Sequence, residues 1–552
     1  MDTEMRMSRI AEELAKELRT ISVSEFFERN RHLLGYDNPT RALITIVKEG
    51  VDNALDATEE ARILPRIWVE VRQVGVDRFK VMIKDNGPGI PDKKIPIALG
   101  TLLAGSRFHR LLQTRGQQGL GMSGAMLYAQ LTTGKPTTII SSIGDGKTSY
   151  YEIMIDVSKN QPKIVKHEVI EDGKEWHGLK IEMEVEGKYV EGKRSIVEYL
   201  KETAIMNPYA HITFKGPNGK LEFKRAINKL PSQPKEIKPH PHGVELGMLQ
   251  RMLSNTKSKT LVAFLMNEFS RVGKTTAIAV CKKARLAPDT DPKQLQLREV
   301  ERLFRAIQVT KFLRPPTDCL SPVGEEMILR GLKKEIPAEF FAAITRQPEV
   351  YRGMPFVIEC AVAYGGSLPN KTEIMRFANK VPLLYQAGDC AITKAIQSID
   401  WSRYGLKQTP KGLPEAPLVI VVHFASVWVP FISEGKQAIA AYPQIMKEIK
   451  LALQEVGRRL GRYLSGKRRL EMKRRRIMIF ERYIPEVAHA LAELTEVKPE
   501  IIEKKLKEIG LKKVDIEEEV FEENVKEEGE EVEQERSDRK ASQLRIADFG
   551  NG

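Results

Sequence analysis

Three short stretches decide how this chain folds: Glu49-Gly-Val-Asp-Asn53-Ala-Leu-Asp56, Lys84-Asp85-Asn-Gly87-Pro-Gly89-Ile90 and Arg115-Gly116-Gln117-Gln118-Gly119-Leu120-Gly121-Met122-Ser123-Gly124. The first sits in a helical pattern from Asn38 to Ala61, with Pro39 at a first-turn position and Leu43, Ile44, Val47, Val51, Ala54 and Leu55 at three- and four-residue spacing. Glu49, Asn53 and Asp56 fall at i, i+4 and i+7, so they share one face, either an ordinary solvated face or a polar row lining a pocket. The second stretch reads as a strand that stops at an aspartate and turns through glycines, which let a backbone approach a flat ligand closely. In the third, glycine-spaced amides run into an apolar helical pattern ending near Leu131, an arrangement that can cradle phosphates. Each stretch alone is common; the three in this order and spacing select the pocket reading for the first.

Strand-like runs at Ile67–Val74, Phe79–Lys84, Pro136–Ser142, Thr148–Met154 and Leu179–Val185 make the first 229 residues an α/β sandwich. A Pro-rich joint from Leu230 to Gly243 precedes a mainly helical region to residue 307. A second joint, Leu313-Arg-Pro-Pro316, opens a mixed region with strands at Phe356–Ala363 and Leu418–His423 and a helix from Ala438 to about Tyr463. The expected division is 1–229, 230–307, 308–484 and a charged, partly disordered extension over 485–552.

With 552 residues and 41% hydrophobic side chains, the chain is too long for one small module and too apolar for wholesale disorder. Its net charge is +14, but residues 515–536 hold twelve acidic side chains against Lys526 and Arg536, a net of −10 that leaves +24 on the remainder. That remainder suits a polyanionic partner. Cys281, Cys319, Cys360 and Cys390 lie 38, 41 and 30 positions apart with no CxxC pair, so neither a zinc site nor a disulfide framework is indicated. No apolar run is long enough to span a bilayer, which points to a soluble protein of the cytoplasm.

On the three motifs, residues 36–185 resemble the GHKL ATPases, the superfamily of gyrase, the heat-shock chaperone, histidine kinases and mismatch-repair proteins, which bind nucleotide in a Bergerat fold. The resemblance implies ATP and Mg²⁺ as ligands: Asp85 accepting from the adenine amine, Asn53 giving an oxygen to Mg²⁺, and Glu49 acting as general base toward water. It also implies a lid over residues 100–121, with Ser106 and Arg107 near the nucleotide, Gly89 beside the base, and Gly116, Gln117, Gln118, Gly119, Leu120, Gly121, Met122 and Ser123 around the triphosphate. Gly178-Leu179 departs from the Gly-Thr of many members, which removes a threonine contact to Asp85.

A second nucleotide motif fails: Val272-Gly273-Lys274-Thr275-Thr276 resembles the end of a P-loop, but Glu268 stands where its first glycine belongs. That segment is instead similar to a helix-two-turns-helix module, with Arg271 and Lys274 as candidates for DNA phosphates. Trp428-Val-Pro-Phe-Ile-Ser433-Glu-Gly435-Lys436 places a lysine on a glycine-hinged loop after an apolar strand. The chain as a whole, over about residues 20–480, resembles the B subunits of archaeal topoisomerase VI. By that resemblance the class is α+β multidomain: a Bergerat-type α/β sandwich ATPase domain with an N-terminal strap, a helix-two-turns-helix domain, and an α/β transducer domain with a long C-terminal helix. Lys436 matches the switch lysine that contacts the γ-phosphate.

The resemblance further implies a nucleoid-associated ATPase subunit that self-dimerises on ATP binding, residues 1–25 crossing to the other protomer. It pairs with the topoisomerase VI A subunit in an A2B2 heterotetramer and passes one DNA duplex through a break made by that partner. Lys188, Lys193 and Arg194 in a glycine-rich loop, and Trp401 and Arg403 in Trp401-Ser-Arg-Tyr404, resemble DNA-facing elements of the family, the alternative being a solvated loop and a packed aromatic pair; ten basic residues over 458–476 suit either double-stranded DNA or the acidic surface of a protein partner. The alternative is a nucleotide-gated clamp, of mismatch-repair or chaperone type, that closes without strand passage.

Overall fold

The computed structural model describes residues 21–105, 110–116, 119–171, 176–410, 412–433, 435–495 and 497–509. Ser106, Arg107, Gln117, Gln118, most of the expected strap and the acidic run at 515–536 lie outside them. The chain forms two compact units, one running to Ile399 and again over Ala416–Gln454, the other comprising Asp400–Glu415 and the chain from Glu455 on.

After a short helix, Val23–Arg29, the first unit carries the expected helix, Pro39–Glu60, whose start is set by Pro39 and by the Asn38 side chain accepting from the Arg41 amide at 2.8 Å. Eight strands follow: β1 Arg66–Gly75, β2 Arg78–Lys84, β3 Thr137–Ile143, β4 Lys147–Asp156, β5 Gln161–Glu171, β6 His177–Glu186, β7 His211–Gly216 and β8 Gly219–Phe223. They form one sheet in the order β5-β4-β3-β6-β2-β1-β7-β8, antiparallel except where β1 runs parallel to β7. Along β1, β2 and β4 buried residues alternate with exposed or half-exposed ones. The sheet therefore buries one face. Against that face pack the Pro39–Glu60, Gly121–Thr133 and Ile196–Met206 helices, in one core with Leu43, Val51, Ile83, Met126 and Leu200.

The expected helical region is four helices, Leu246–Asn255, Leu261–Glu268, Lys274–Ala284 and Leu297–Gln308, around Leu249, Phe264, Phe269 and Leu303. The third begins at Gly273, and the segment before it is a helix, Leu261–Glu268, rather than the strand that precedes a P-loop. Arg271 (φ 59°) and Lys274 are both exposed on that turn. His240 and His242 in the Pro-rich joint donate to the Leu313 and Thr310 carbonyls, pinning the joint to the end of this bundle.

A second sheet follows: β9 Phe340–Thr345, β10 Glu349–Tyr351, β11 Met354–Tyr364, β12 Glu373–Ala378 and β13 Val381–Pro382. The two-residue strands β14 Lys407–Gln408 and β15 Pro414–Glu415 pair with each other in the other unit, and β16 Leu418–Ser426 returns to complete the order β10-β11-β16-β12-β13, with β9 also on β11. Every residue of β16 is buried, as its mainly apolar run requires, including the polar His423 and Ser426. His423 Nδ1 donates to Glu359 at 2.8 Å, and its Nε2 accepts from the Lys380 amide at 2.9 Å.

The long helix runs over Pro443–Thr495 rather than from Ala438 to Tyr463. Residues before Pro443 are held instead by the Phe431–Ile439 bridge. Beyond Leu464 the apolar spacing that marks a helix fades, although the helix continues with Ile484 and Ala488 buried. Residues 499–509 are also helical, so order extends well into the expected tail. In the second unit Trp401 is fully buried, its ring edge-on to Tyr404. A buried indole offers no face to a duplex, which corrects its place among the DNA candidates. Among the described residues no helix is long and apolar enough to cross a membrane.

His423→Ala leaves the Glu359 carboxylate and the Lys380 amide each short of a buried partner. We expect a loss of about 3 kcal/mol or more, read as early thermal unfolding of this sheet; an unchanged melting profile contradicts that assignment.

Candidate nucleotide site

A cavity of about 320 Å³ opens between the Pro39–Glu60 helix, the Gly121 helix, β2, β6 and the loop carrying Lys436. Its lining brings together Glu49, Asn53, Asp85, Gly89, Gly116, Gly119, Leu120, Gly121, Met122, Ser123 and Lys436, drawn from segments far apart in sequence. The volume and the mixture of apolar wall with a few convergent polar groups suit a small ligand.

At one end Asp85 is buried, and Leu179, Ile181, Ile90 and Leu99 are among the apolar residues that line the cavity with it. Its Oδ1 accepts from the Gly87 amide at 2.7 Å and from the Leu179 amide at 3.2 Å. The Leu179 main chain thus supplies a contact to the aspartate where a threonine is missing, because a backbone donor needs no particular side chain. Burial pushes the Asp85 carboxyl up to about 6, with the two amides opposing the shift. Gly89 takes φ 71°, and a Cβ there would lie 2.1 Å from the Ser142 carbonyl oxygen, so only glycine permits this floor.

At the other end Glu49 is held from two sides. Lys48 Nζ lies 3.2 Å from Glu49 Oε1 and 3.2 Å from Asp52 Oδ2, and Tyr199 donates to Asp52 Oδ1 at 2.9 Å. A Cβ on Gly121 would lie 1.9 Å from Glu49 Oε2, so the carboxylate rests directly on the start of the Gly121 helix. No side chain caps that helix, which leaves its first amides directed at the cavity. Burial would raise the Glu49 carboxyl, but Lys48 and Lys436 outweigh it and hold it below the usual range. Burial lowers Lys436, with Glu49 opposing. The Lys436 ammonium also reaches the Arg115 carbonyl at 3.4 Å from a backbone at φ 50°.

Asn53 Oδ1 faces Gly116, 3.6 Å from where a Cβ would stand, and makes no protein hydrogen bond among the described residues. An uncommitted hard oxygen beside a phosphate-type loop fits a divalent cation's need for oxygen ligands. Asp56, the third polar residue of the helix face, turns away from the cavity: it accepts from Arg115 Nη1 at 2.8 Å and from the Gly116 amide at 3.2 Å.

Several members of the site carry little or no signal in the sequence. Lys48 is legible only from its i,i+4 spacing to Asp52. The Pro382–Tyr385 wall carries no motif and comes to the cavity only through the second sheet, and the Asn379-Lys380 turn, equally without one, contacts Thr114 and Glu59 behind it. Of the loop candidates for DNA, Lys188, Lys193 and Arg194 are exposed, although Lys193 pairs with Glu373 at 2.8 Å and Arg194 lies over the Tyr385 ring at 5.7 Å. Arg403 is exposed and pairs with Asp400 at 3.0 Å.

Fold and cavity together define a nucleotide-site ATPase fold, and residues 38–159 match the family model described as histidine kinase-, DNA gyrase B-, and HSP90-like ATPase. Residues 315–476 match the model of the topoisomerase VI B subunit transducer. The B subunit of type 2 DNA topoisomerase 6 from Archaeoglobus fulgidus is 49% identical over 498 residues, covering 89% of this chain and 82% of that one. The proteins of the same name from Methanococcoides burtonii and Pyrococcus furiosus are 50% and 42% identical, over 88% and 90% of this chain and 79% and 95% of their own. The chain belongs to the topoisomerase VI B-subunit family.

Gly121→Ala sets a methyl against the Glu49 carboxylate and is expected to cost about 1–3 kcal/mol. In a thermal double-mutant cycle Glu49→Ala restores most of that loss. Additive effects contradict the contact.

Proposed function

We propose that this protein is the ATP-binding and ATP-hydrolysing subunit of a topoisomerase VI assembly, in which nucleotide-driven dimerisation gates passage of one DNA duplex through a break made by a partner A subunit. The observation that carries the reading is one cavity furnished from both ends of the chain, with Glu49 and Asp85 from the first sheet's domain and Lys436 from the transducer. The relatives' name, the B subunit of a DNA topoisomerase, supports the partner and the DNA. We assign residues 1–229 to the ATPase domain, 230–307 to the helix-two-turns-helix domain, 308–484 to the transducer and 485–552 to the extension.

In this assignment the ionised Asp85 accepts from the adenine amine while Gly89 lets the ring lie against the main chain. The amides at Gly121, Met122 and Ser123 take the phosphates. Asn53 would hold Mg²⁺, which when bound offsets phosphate charge. Glu49, placed one water away from the terminal phosphate, takes the proton of the attacking water. Lys436 gives the chemistry a sensor: while it faces Glu49 it depresses the base, and a γ-phosphate that draws the ammonium to itself relieves that depression. Base strength then rises only once the triphosphate is in place. Arg271, Lys274, Lys188, Lys193, Arg194 and Arg403 are the proposed phosphate contacts to the duplex, exposed on the helical domain, the loop after β6 and the second unit.

Glu49→Gln tests the base. ATP binding is expected to persist while hydrolysis falls by about 10²- to 10⁴-fold, and normal turnover by this variant contradicts the assignment.

Asp85 gives a pH signature. Its carboxyl takes up a proton as the pH falls through about 6, and only the ionised form accepts from adenine, so the affinity is present above that value and lost below it. Adenosine, which carries no titrating phosphate, is expected to bind about tenfold more weakly at pH 5 than at pH 7. Asp85→Asn should bind weakly at both pH values, and a flat profile in the parent contradicts the adenine contact.

A further inference from the structure

The turn between β12 and β13 consists of Asn379 and Lys380, with φ 47° and 70°. A two-residue hairpin with both central residues left-handed favours asparagine followed by glycine. Lysine in the glycine's place costs about 1–2 kcal/mol of backbone energy, and this lysine is also buried, with only 4% of its surface exposed. Strained and buried together, a turn lysine persists only where its side chain is used.

Both side chains end at the root of the phosphate loop. Asn379 Nδ2 donates to the Thr114 carbonyl at 3.0 Å, while its Oδ1 accepts from the Ser426 amide at 2.9 Å. Lys380 Nζ donates to Glu59 Oε2 at 3.0 Å, and Glu59 Oε1 accepts from Arg115, whose other guanidinium nitrogen holds Asp56. Two acids and two cations therefore balance in a buried quartet, to which Tyr209 adds a hydrogen bond on Glu59 and Asn207 one on Arg115. Three of the charges lie in the ATPase domain and the fourth comes from the transducer. The Lys380 amide is in turn held by His423, and His423 by Glu359, so the turn is fixed to the middle of the second sheet.

We propose that Asn379 and Lys380 are positioning residues for the phosphate loop: the transducer hairpin anchors Thr114 and Arg115, so that the grip on the terminal phosphates depends on the transducer through a contact separate from Lys436. The inference rests on the nucleotide reading of the cavity. It places the dependence at the phosphate end alone, because Asp85 and Gly89 are set by β2, β3 and β6 and do not touch the hairpin.

The test uses the full chain and compares the Mg²⁺ complex of a non-hydrolysable ATP analogue with adenosine, both by displacement of a fluorescent nucleotide. Lys380→Met alone leaves two buried acids, Asp56 and Glu59, sharing one cation, Arg115, so it is combined with Glu59→Gln, which keeps the remaining Asp56–Arg115 pair neutral; Asn379→Ala is the second variant. The analogue is expected to bind about tenfold more weakly to each, a change of about 1.4 kcal/mol, with adenosine affinity unchanged and with Lys380→Arg close to the parent. Parental affinity for the analogue in both variants overturns the proposal, as does an equal loss for adenosine, which marks general damage to the pocket. A parent that binds neither ligand removes the nucleotide reading and this inference with it.

Discussion

A carboxylate in the middle of a buried helix, held by a cation on one side and resting on a helix N-terminus on the other, is the constraint around which the first unit is arranged. Glu49 can sit there only because Gly121 has no side chain and because Lys48 is itself tied to Asp52 and, through it, to Tyr199. Burying a charge is costly without partners. The surrounding residues supply them, and the same partners keep Glu49 ionised and fixed in direction. Asp85, at the other end, meets the opposite environment: two amides and an apolar wall, with a carboxyl pushed up rather than down. One pocket thus holds two acids whose surroundings separate their behaviour, as binding one end of a ligand and acting on the other requires.

The cavity is not complete within the first sheet's domain. Lys436 enters from the loop after β16, the wall from Pro382 to Tyr385 follows β13, and the phosphate loop is held at its root by the β12–β13 turn. Lys436 and the root of the phosphate loop thus depend on the second sheet, whereas the hydrogen bonds that hold Asp85 come from Gly87 and Leu179 of the first. On the proposed function this is the useful division: affinity for the base is constant, and the response to the terminal phosphate is shared with the part of the chain that has to move.

The share of this visible in the sequence follows from how local each feature is. The Pro39–Glu60 helix with its first-turn proline, five strands of the first sheet and the order of the three motifs rest on periods of 3.6 and 2 and on glycine spacing, and all are present. The strand Gln161–Glu171 escapes a reading by period because it is an edge strand exposed along nearly its whole length, without alternation to read. The long helix is legible only as far as about Leu464 for the same reason. Helical geometry groups Asp56 with Glu49 and Asn53, but its partner Arg115 lies almost sixty residues away, and no local rule shows which polar residue of a face a distant arginine will claim. The family resemblance sets Trp401 toward DNA, whereas its burial against Tyr404 makes it the packed aromatic pair that the same four residues also allow. The Asn379-Lys380 turn has no motif, since its meaning comes from what the folded chain brings to it.

The most direct test of the central claim, that one cavity built from both domains drives the proposed strand passage, is ATP-dependent relaxation of supercoiled DNA by this protein together with its partner A subunit, comparing the parent with Lys436→Ala. The variant is expected still to bind ATP, through Asp85 and the phosphate amides, yet to relax little or no DNA. Relaxation at the parental rate by a Lys436→Ala protein contradicts the claim.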